Sequence, residues 1–304
     1  MNIQHALSPI KKIFVHTEPQ GLTLTEKRLR LYKDHVLERI SQTPVGKHPY
    51  HHMYIEHIFP DELYEATLRK VSQYKLGNKL QARAQDNPEY VNTRFRLNAA
   101  EDAESRYIQL LFEDEDVKSA LVKNFYLKPT EDLTNHLRIH YDEFEFTFIE
   151  KNRFQNIHVD IPAKFMSMVF YFPETPPTEA EAKLNGTVLY DKELTPCHPA
   201  KYAPNSVGIF VPHFYSYHGF STTIDRQVIV MFYVSDSGFD DWVIARRKDT
   251  APFSDIKDCI ERKLLKYPLI EYGEAPERLA AEKAMCRINA PRGRVLDKNN
   301  KAPA

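Results

Sequence analysis

From Asn135 onward the sequence stops reading as helix and begins to alternate, and that change limits the folds open to the chain. Leu137, Ile139 and Tyr141 fall on one face of an extended segment, and Arg138, His140 and Asp142 fall on the other. Phe144, Phe146 and Phe148 continue the pattern. Further strands are expected at 157–161, 165–172, 187–190, 207–218 and 226–234, with Pro, Asn and Gly in the turns between them. Short strands at this density, without intervening helices, point to a sandwich or barrel.

The flanks read differently. Leu29, Tyr32, Val36, Leu37 and Ile40 recur at helical spacing from Thr25, and Pro44 stops that helix. Tyr54 to Phe59 alternates like a short strand, and Pro60-Asp61-Glu62 opens a second helix through about Tyr74. Residues 77–100 suggest a loop with a short strand at Val91 to Leu97. Ala103 to Tyr126 gives one or two helices, broken near the acidic run Glu113 to Asp116, which reads as a solvated face or helix boundary rather than a metal site. Helices return at Asp255 to Lys266 and Ala275 to Cys286, and the polar tail from Pro291 to Ala304 is expected to be disordered. One domain, helices outside a β core, is the simplest organisation.

Composition excludes some classes of function. A net charge of -1 supplies no basic field for nucleic acid or anionic membrane. The apolar runs fall far short of the ~20 residues that span a bilayer, and Met1 to Gln20 has no apolar stretch of signal-peptide length. Three widely spaced cysteines (Cys197, Cys259, Cys286) argue against a disulfide framework. A soluble cytoplasmic protein is expected.

Two His-x-Asp tripeptides stand in the β region, His140-Tyr141-Asp142 and His158-Val159-Asp160. Chance alone supplies about one in a chain of this composition, and strand parity does not separate them. Their downstream neighbours do. His158-Val159-Asp160 leads into the apolar run Phe165 to Phe172, then Gly186-Thr187, then Phe210 to His218-Gly219, then Arg226 at the start of another apolar strand.

In that order, over roughly residues 135–235, the chain resembles the iron(II)- and 2-oxoglutarate-dependent dioxygenases, particularly the prolyl-hydroxylase and small-molecule hydroxylase branch. Tyr54 to Tyr64 also looks like the entry segment of these enzymes. The resemblance implies an α+β fold whose double-stranded β-helix (jelly-roll, cupin-like) core, about 135–235, is flanked by N- and C-terminal helices. A single oxygenase domain would span 1–304, with helical support at 22–126 and a helical extension at 243–290. It also implies that His158, Asp160 and His218 are the catalytic centre and bind Fe(II), that Arg226 holds the far carboxylate of 2-oxoglutarate, and that Tyr141 reaches this cosubstrate. Two imidazoles and one carboxylate on one face of an iron leave three positions open for the cosubstrate and O2. A charged partner suits a carboxylate entering a partly dry pocket, and a guanidinium can hold it bidentately. Halogenases similar to these enzymes carry Gly or Ala at the carboxylate position, so Asp160 favours hydroxylation.

Each residue also has a plainer reading. His140 with Asp142 could replace His158 with Asp160, and His213 competes with His218. Tyr141 could be a core aromatic, Lys164 a solvent-exposed lysine, and Thr187 a turn-and-strand residue. Many family members place Ser or Tyr two residues after the arginine; here Val228 occupies that position, so a second contact must come from elsewhere. Arg94, Arg96 and Arg138 are lower-ranked candidates for a substrate carboxylate. The leading expectation is hydroxylation of a small molecule, an amino acid or peptide-derived metabolite. Alternatives are a cupin-like metal-binding hydrolase, isomerase or ligand binder, and the same oxidation on a protein side chain. The flanking helices are long enough for a lid or a homodimer interface.

Overall fold

The computed structural model describes residues 22–76, 81–84, 91–96, 102–128, 131–139, 145–235 and 253–288. The expected sites His140, Tyr141 and Asp142 and the tail 291–304 lie outside the described residues.

Helix α1 (Glu26–Gln42) begins where the Thr25 side chain accepts the Arg28 N–H, and it buries Tyr32, Val36 and Ile40. After strand β1 (His52–Glu56), helix α2 (Asp61–Leu76) carries Asp61 and Glu62 in its first turn, where the helix dipole favours them. Strands β2 (Gln81–Ala84) and β3 (Val91–Arg96) form a hairpin; only the second was expected. Helices α3 (Ala103–Glu113) and α4 (Glu115–Val122) meet inside the acidic run, which is a cap. Asp114 accepts the N–H groups of Asp116 and Val117 and pairs with Lys33 of α1. A short α5 (Glu131–His136) precedes β4 (Leu137–Ile139).

Eight strands come next: β5 (Glu145–Ile149), β6 (Phe154–His158), β7 (Lys164–Tyr171), β8 (Val188–Tyr190), β9 (Pro196–Cys197), β10 (Ser206–Phe210), β11 (His218–Ser221) and β12 (Arg226–Ser235). Helix α6 (Glu179–Leu184) interrupts them after β7, opened by a Thr178–Glu181 capping box. Helices α7 (Phe253–Lys266) and α8 (Pro276–Met285) complete the described chain.

The pairing defines the architecture. The larger sheet runs β1-β10-β7-β12-β5-β3-β2, with β4 also on β12, and the smaller runs β6-β11-β8-β9. Within the eight strands the first pairs with the last, the second with the seventh, the third with the sixth and the fourth with the fifth, all antiparallel. That winding is a jelly roll, and the class is α+β, as expected. The strand expected at 207–218 is in fact two, one in each sheet, separated by a buried connection that contains Pro212. The strand expected at 157–161 ends at His158, which leaves Asp160 in the turn beyond it.

The two faces of the larger sheet have different uses. Met166, Met168 and Phe170 of β7 and Ile229, Met231 and Tyr233 of β12 face the N-terminal helices and belong to the main core. There the Phe170 ring lies 5.3 Å from Phe59 and 5.1 Å from Phe112. Each such side chain is worth roughly 1.5–3 kcal/mol on burial. The opposite face, with Ser167, Val169, Tyr171, Arg226 and Val228, looks into the barrel toward the smaller sheet. Among the described residues no helix is long and apolar enough to cross a membrane.

Candidate active site

His158 ends β6 and His218 begins β11, and the two are cross-strand partners. Their rings lie 4.2 Å apart, facing into the barrel. The Nδ1–H of each donates to a carbonyl two residues earlier, His158 to Asn156 at 2.9 Å and His218 to Ser216 at 3.0 Å. Those bonds fix the tautomer, so both Nε2 lone pairs turn inward. Asp160 reaches the same point from the turn after β6, with its Oδ2 3.7 Å from His218 Nε2. One ligand atom from each of the three residues lies within 4.8 Å of the others. Among the described residues no other His, Cys, Asp or Glu trio converges in this way.

The surroundings hold this trio in a usable charge state. Burial pushes the His158 imidazole down to about 3, with the neighbouring His218 acting in the same direction, and burial also lowers His218. Burial alone would raise the Asp160 carboxyl, but Lys164, the two imidazoles and the Ser167 hydroxyl outweigh it and keep the acid ionised. Lys164 Nζ sits 2.9 Å from Asp160 Oδ1, and Ser167 Oγ donates to Oδ2 at 2.7 Å. Two neutral nitrogens and one carboxylate form a donor set that could hold a divalent ion. Lys164, expected to be in solvent or in the site, is buried there, 3.4 Å over the Phe232 ring.

Arg226 stands deeper in the barrel, at the first position of β12 and only 2% exposed. Its Nε donates to the Asn185 carbonyl and its Nη2 to Thr187 Oγ1, each at 3.1 Å, and the guanidinium lies 4.3 Å over the Phe220 ring. Tyr171 hydroxyl donates to the same Thr187 oxygen at 2.8 Å. Thr187, expected to be a turn-and-strand residue, is thus joined to both Arg226 and Tyr171. Gly186 permits this approach, since a Cβ there would stand 1.9 Å from the Ala200 carbonyl oxygen. A small recess nearby is lined by Thr187, Leu189, Gly208 and Phe210 among others. Of its lining, Thr187 touches Arg226, and Phe210 packs 4.5 Å from the His218 ring.

His213 goes elsewhere. It is buried with its Nδ1 accepting from the Tyr215 N–H and the Tyr272 hydroxyl. It is one of a series of tethers between the connection before His218 and the C-terminal helices. Lys263 donates to the Pro212 carbonyl at 2.7 Å, Cys286 to that of Phe214 at 2.8 Å, and Tyr215 to that of Glu282 at 3.1 Å. Arg138 is half-buried on β4, outside the trio.

The architecture is similar to solved oxygenase structures. A Pseudomonas putida prolyl-4-hydroxylase matches with a TM-score of 0.49 at 9% identity, over 66% of this chain and 98% of that one. A Trichoplax adhaerens prolyl hydroxylase, solved with a hypoxia inducible factor peptide fragment, matches at 0.47 and 12%, over 69% and 92%. Prolyl 4-hydroxylases from Phytophthora capsici match at 0.45 and 12%, over 90% and 99%. No family model matches the chain. No curated protein matches it by sequence. At such identities and scores the likeness carries no functional weight, and the strand order and site geometry stand by themselves.

Of the positions expected from sequence, His158, Asp160 and His218 come together, Arg226 is buried against Thr187 and Phe220, and Tyr141 is outside the described residues. Sequence reasoning missed Tyr171 and Ser167. Ser167 carried a usable signal, as the one small polar residue inside the apolar run 165–172.

Proposed function

We propose that this chain is an Fe(II)- and 2-oxoglutarate-dependent dioxygenase that hydroxylates an unactivated C–H bond of a small molecule. The observation that carries the reading is the convergence of two inward Nε2 atoms and one carboxylate within 4.8 Å, in a fold that also buries an arginine against Thr187. In this reading His158, His218 and Asp160 hold Fe(II), Lys164 and Ser167 orient the carboxylate, and Arg226 with Thr187 and Tyr171 receives the far carboxylate of 2-oxoglutarate. Bound there with 2-oxoglutarate and O2, the iron supplies oxidation of a C–H bond coupled to decarboxylation of the cosubstrate to succinate. The chain's own part is to fix the ligand geometry and keep the reaction in an apolar barrel interior. A net charge of -1 makes a polynucleotide a poor partner, so amino acids and peptide-derived metabolites are the first substrates to test.

The test is conversion of 2-oxoglutarate to succinate by the full chain with added Fe(II). Turnover dependent on the metal, lost in His158→Ala and Asp160→Ala with the fold intact by circular dichroism, is expected. Metal binding with neither turnover nor affinity for 2-oxoglutarate would favour a cupin-like metal-binding protein instead.

A further inference from the structure

Gln155 is brought to the candidate metal centre by an irregularity in the smaller sheet. His158 pairs with His218 and Gln155 with Phe220, so three steps along β6 match two along β11. In a regular strand, residues three apart face opposite sides of the sheet. The extra residue of this bulge turns both His158 and Gln155 into the barrel, as bulges beside active sites do. Gly219 makes room for it, because a Cβ there would lie 2.8 Å from the Gln155 carbonyl oxygen.

The Gln155 side-chain nitrogen lies 3.0 Å from His158 Nε2. Since His158 Nδ1–H is committed to Asn156, this Nε2 carries a lone pair, and the carboxamide must donate to it. An ion at the centre would take that same lone pair. The amide N–H would then lose its acceptor and be released to donate to an anionic ligand of the ion.

We propose that Gln155 is a binding residue for the cosubstrate: it caps His158 Nε2 in the metal-free protein, gives way when the ion enters, and then donates to the carboxylate that 2-oxoglutarate places on the metal. This rests on the oxygenase reading above. It requires metal and cosubstrate affinities to move in opposite directions when the donor is removed.

The experiment titrates Mn(II), and then 2-oxoglutarate onto the Mn(II)-loaded full chain, under argon and without turnover. In Gln155→Leu the metal should bind about fivefold tighter, because no neutral hydrogen bond is surrendered, and 2-oxoglutarate about tenfold or more weaker, because a bond to a charged group is lost. Gln155→Glu keeps the shape without the donor and covers the case in which leucine disturbs the strand; it should shift both affinities in the same senses. Wild type that binds both ligands, with 2-oxoglutarate affinity unchanged in the variants, overturns the role of Gln155 alone. Wild type that takes Mn(II) but no 2-oxoglutarate overturns the oxygenase reading and this proposal with it.

Discussion

Arg226 presents a planar guanidinium between Thr187 and the Phe220 ring, and an ammonium on a flexible stem lacks that planar, two-pronged geometry. Arg226→Lys is expected to raise the 2-oxoglutarate concentration for half-saturation about tenfold, and Arg226→Ala further, in the range of a lost charged hydrogen bond. Metal affinity should stay unchanged in both. A requirement identical to wild type would remove Arg226 from the anchor. Gly219→Ala acts at the other end of the pocket: its methyl group meets a backbone oxygen at 2.8 Å, which cannot swing aside as a side chain can. The strand pair bearing both imidazoles must shift, and Mn(II) titration should show weaker binding; full affinity would mean the bulge has slack. At this scale the order of His158, Asp160, His218 and Arg226 along the chain was readable as a resemblance, and the first three do converge. Tyr171, Thr187 and Gln155 were not readable. Their roles depend on which strands become neighbours and on one extra residue in β6, and neither is written in local periodicity.

The connection between β10 and β11 shows what elements add. Residues 211–217 read as a continuation of a strand because they are apolar and aromatic, yet they are buried against α7 and α8 rather than paired in a sheet. Tethers from Lys263, Tyr272, Glu282 and Cys286 hold the segment that delivers His218, so the C-terminal helices position a site they do not enter. Lys263 gives this contact a pH dependence. Burial lowers its ammonium to about 7 from the ordinary 10.5. Between those values the unfolded chain holds a proton that the folded chain has released, so burying this group costs stability at and below about pH 7, and that cost is relieved as pH rises from about 7 to 10.5. Urea unfolding at pH 7 and pH 9 should show the wild type gaining on Lys263→Met at the higher pH. A pH-independent difference between the two would mean that Lys263 stays charged in the fold.

For the whole molecule, the nested winding into two sheets pairs β6 with β11 and sets the two imidazoles side by side, although they are 60 residues apart in sequence. The β region and its flanking helices were visible in the change of period at Asn135. The assignment of strands to two sheets was not, since it arises from long-range pairing. Ligands that bind only the folded barrel must stabilise it: Mn(II) at a hundredfold excess over its Kd should add about 2.7 kcal/mol. That amount corresponds to a rise of several degrees in Tm by thermal scanning, and Asp160→Ala should show little of it. The central claim is that one ion, held by His158, Asp160 and His218, also chelates 2-oxoglutarate. Anaerobic titration of 2-oxoglutarate into the Fe(II)-loaded chain tests it most directly. The account predicts a saturable visible charge-transfer band that is absent in His218→Ala and needs more cosubstrate in Arg226→Ala. A wild-type protein that binds Fe(II) and develops no such band at saturating 2-oxoglutarate would contradict it.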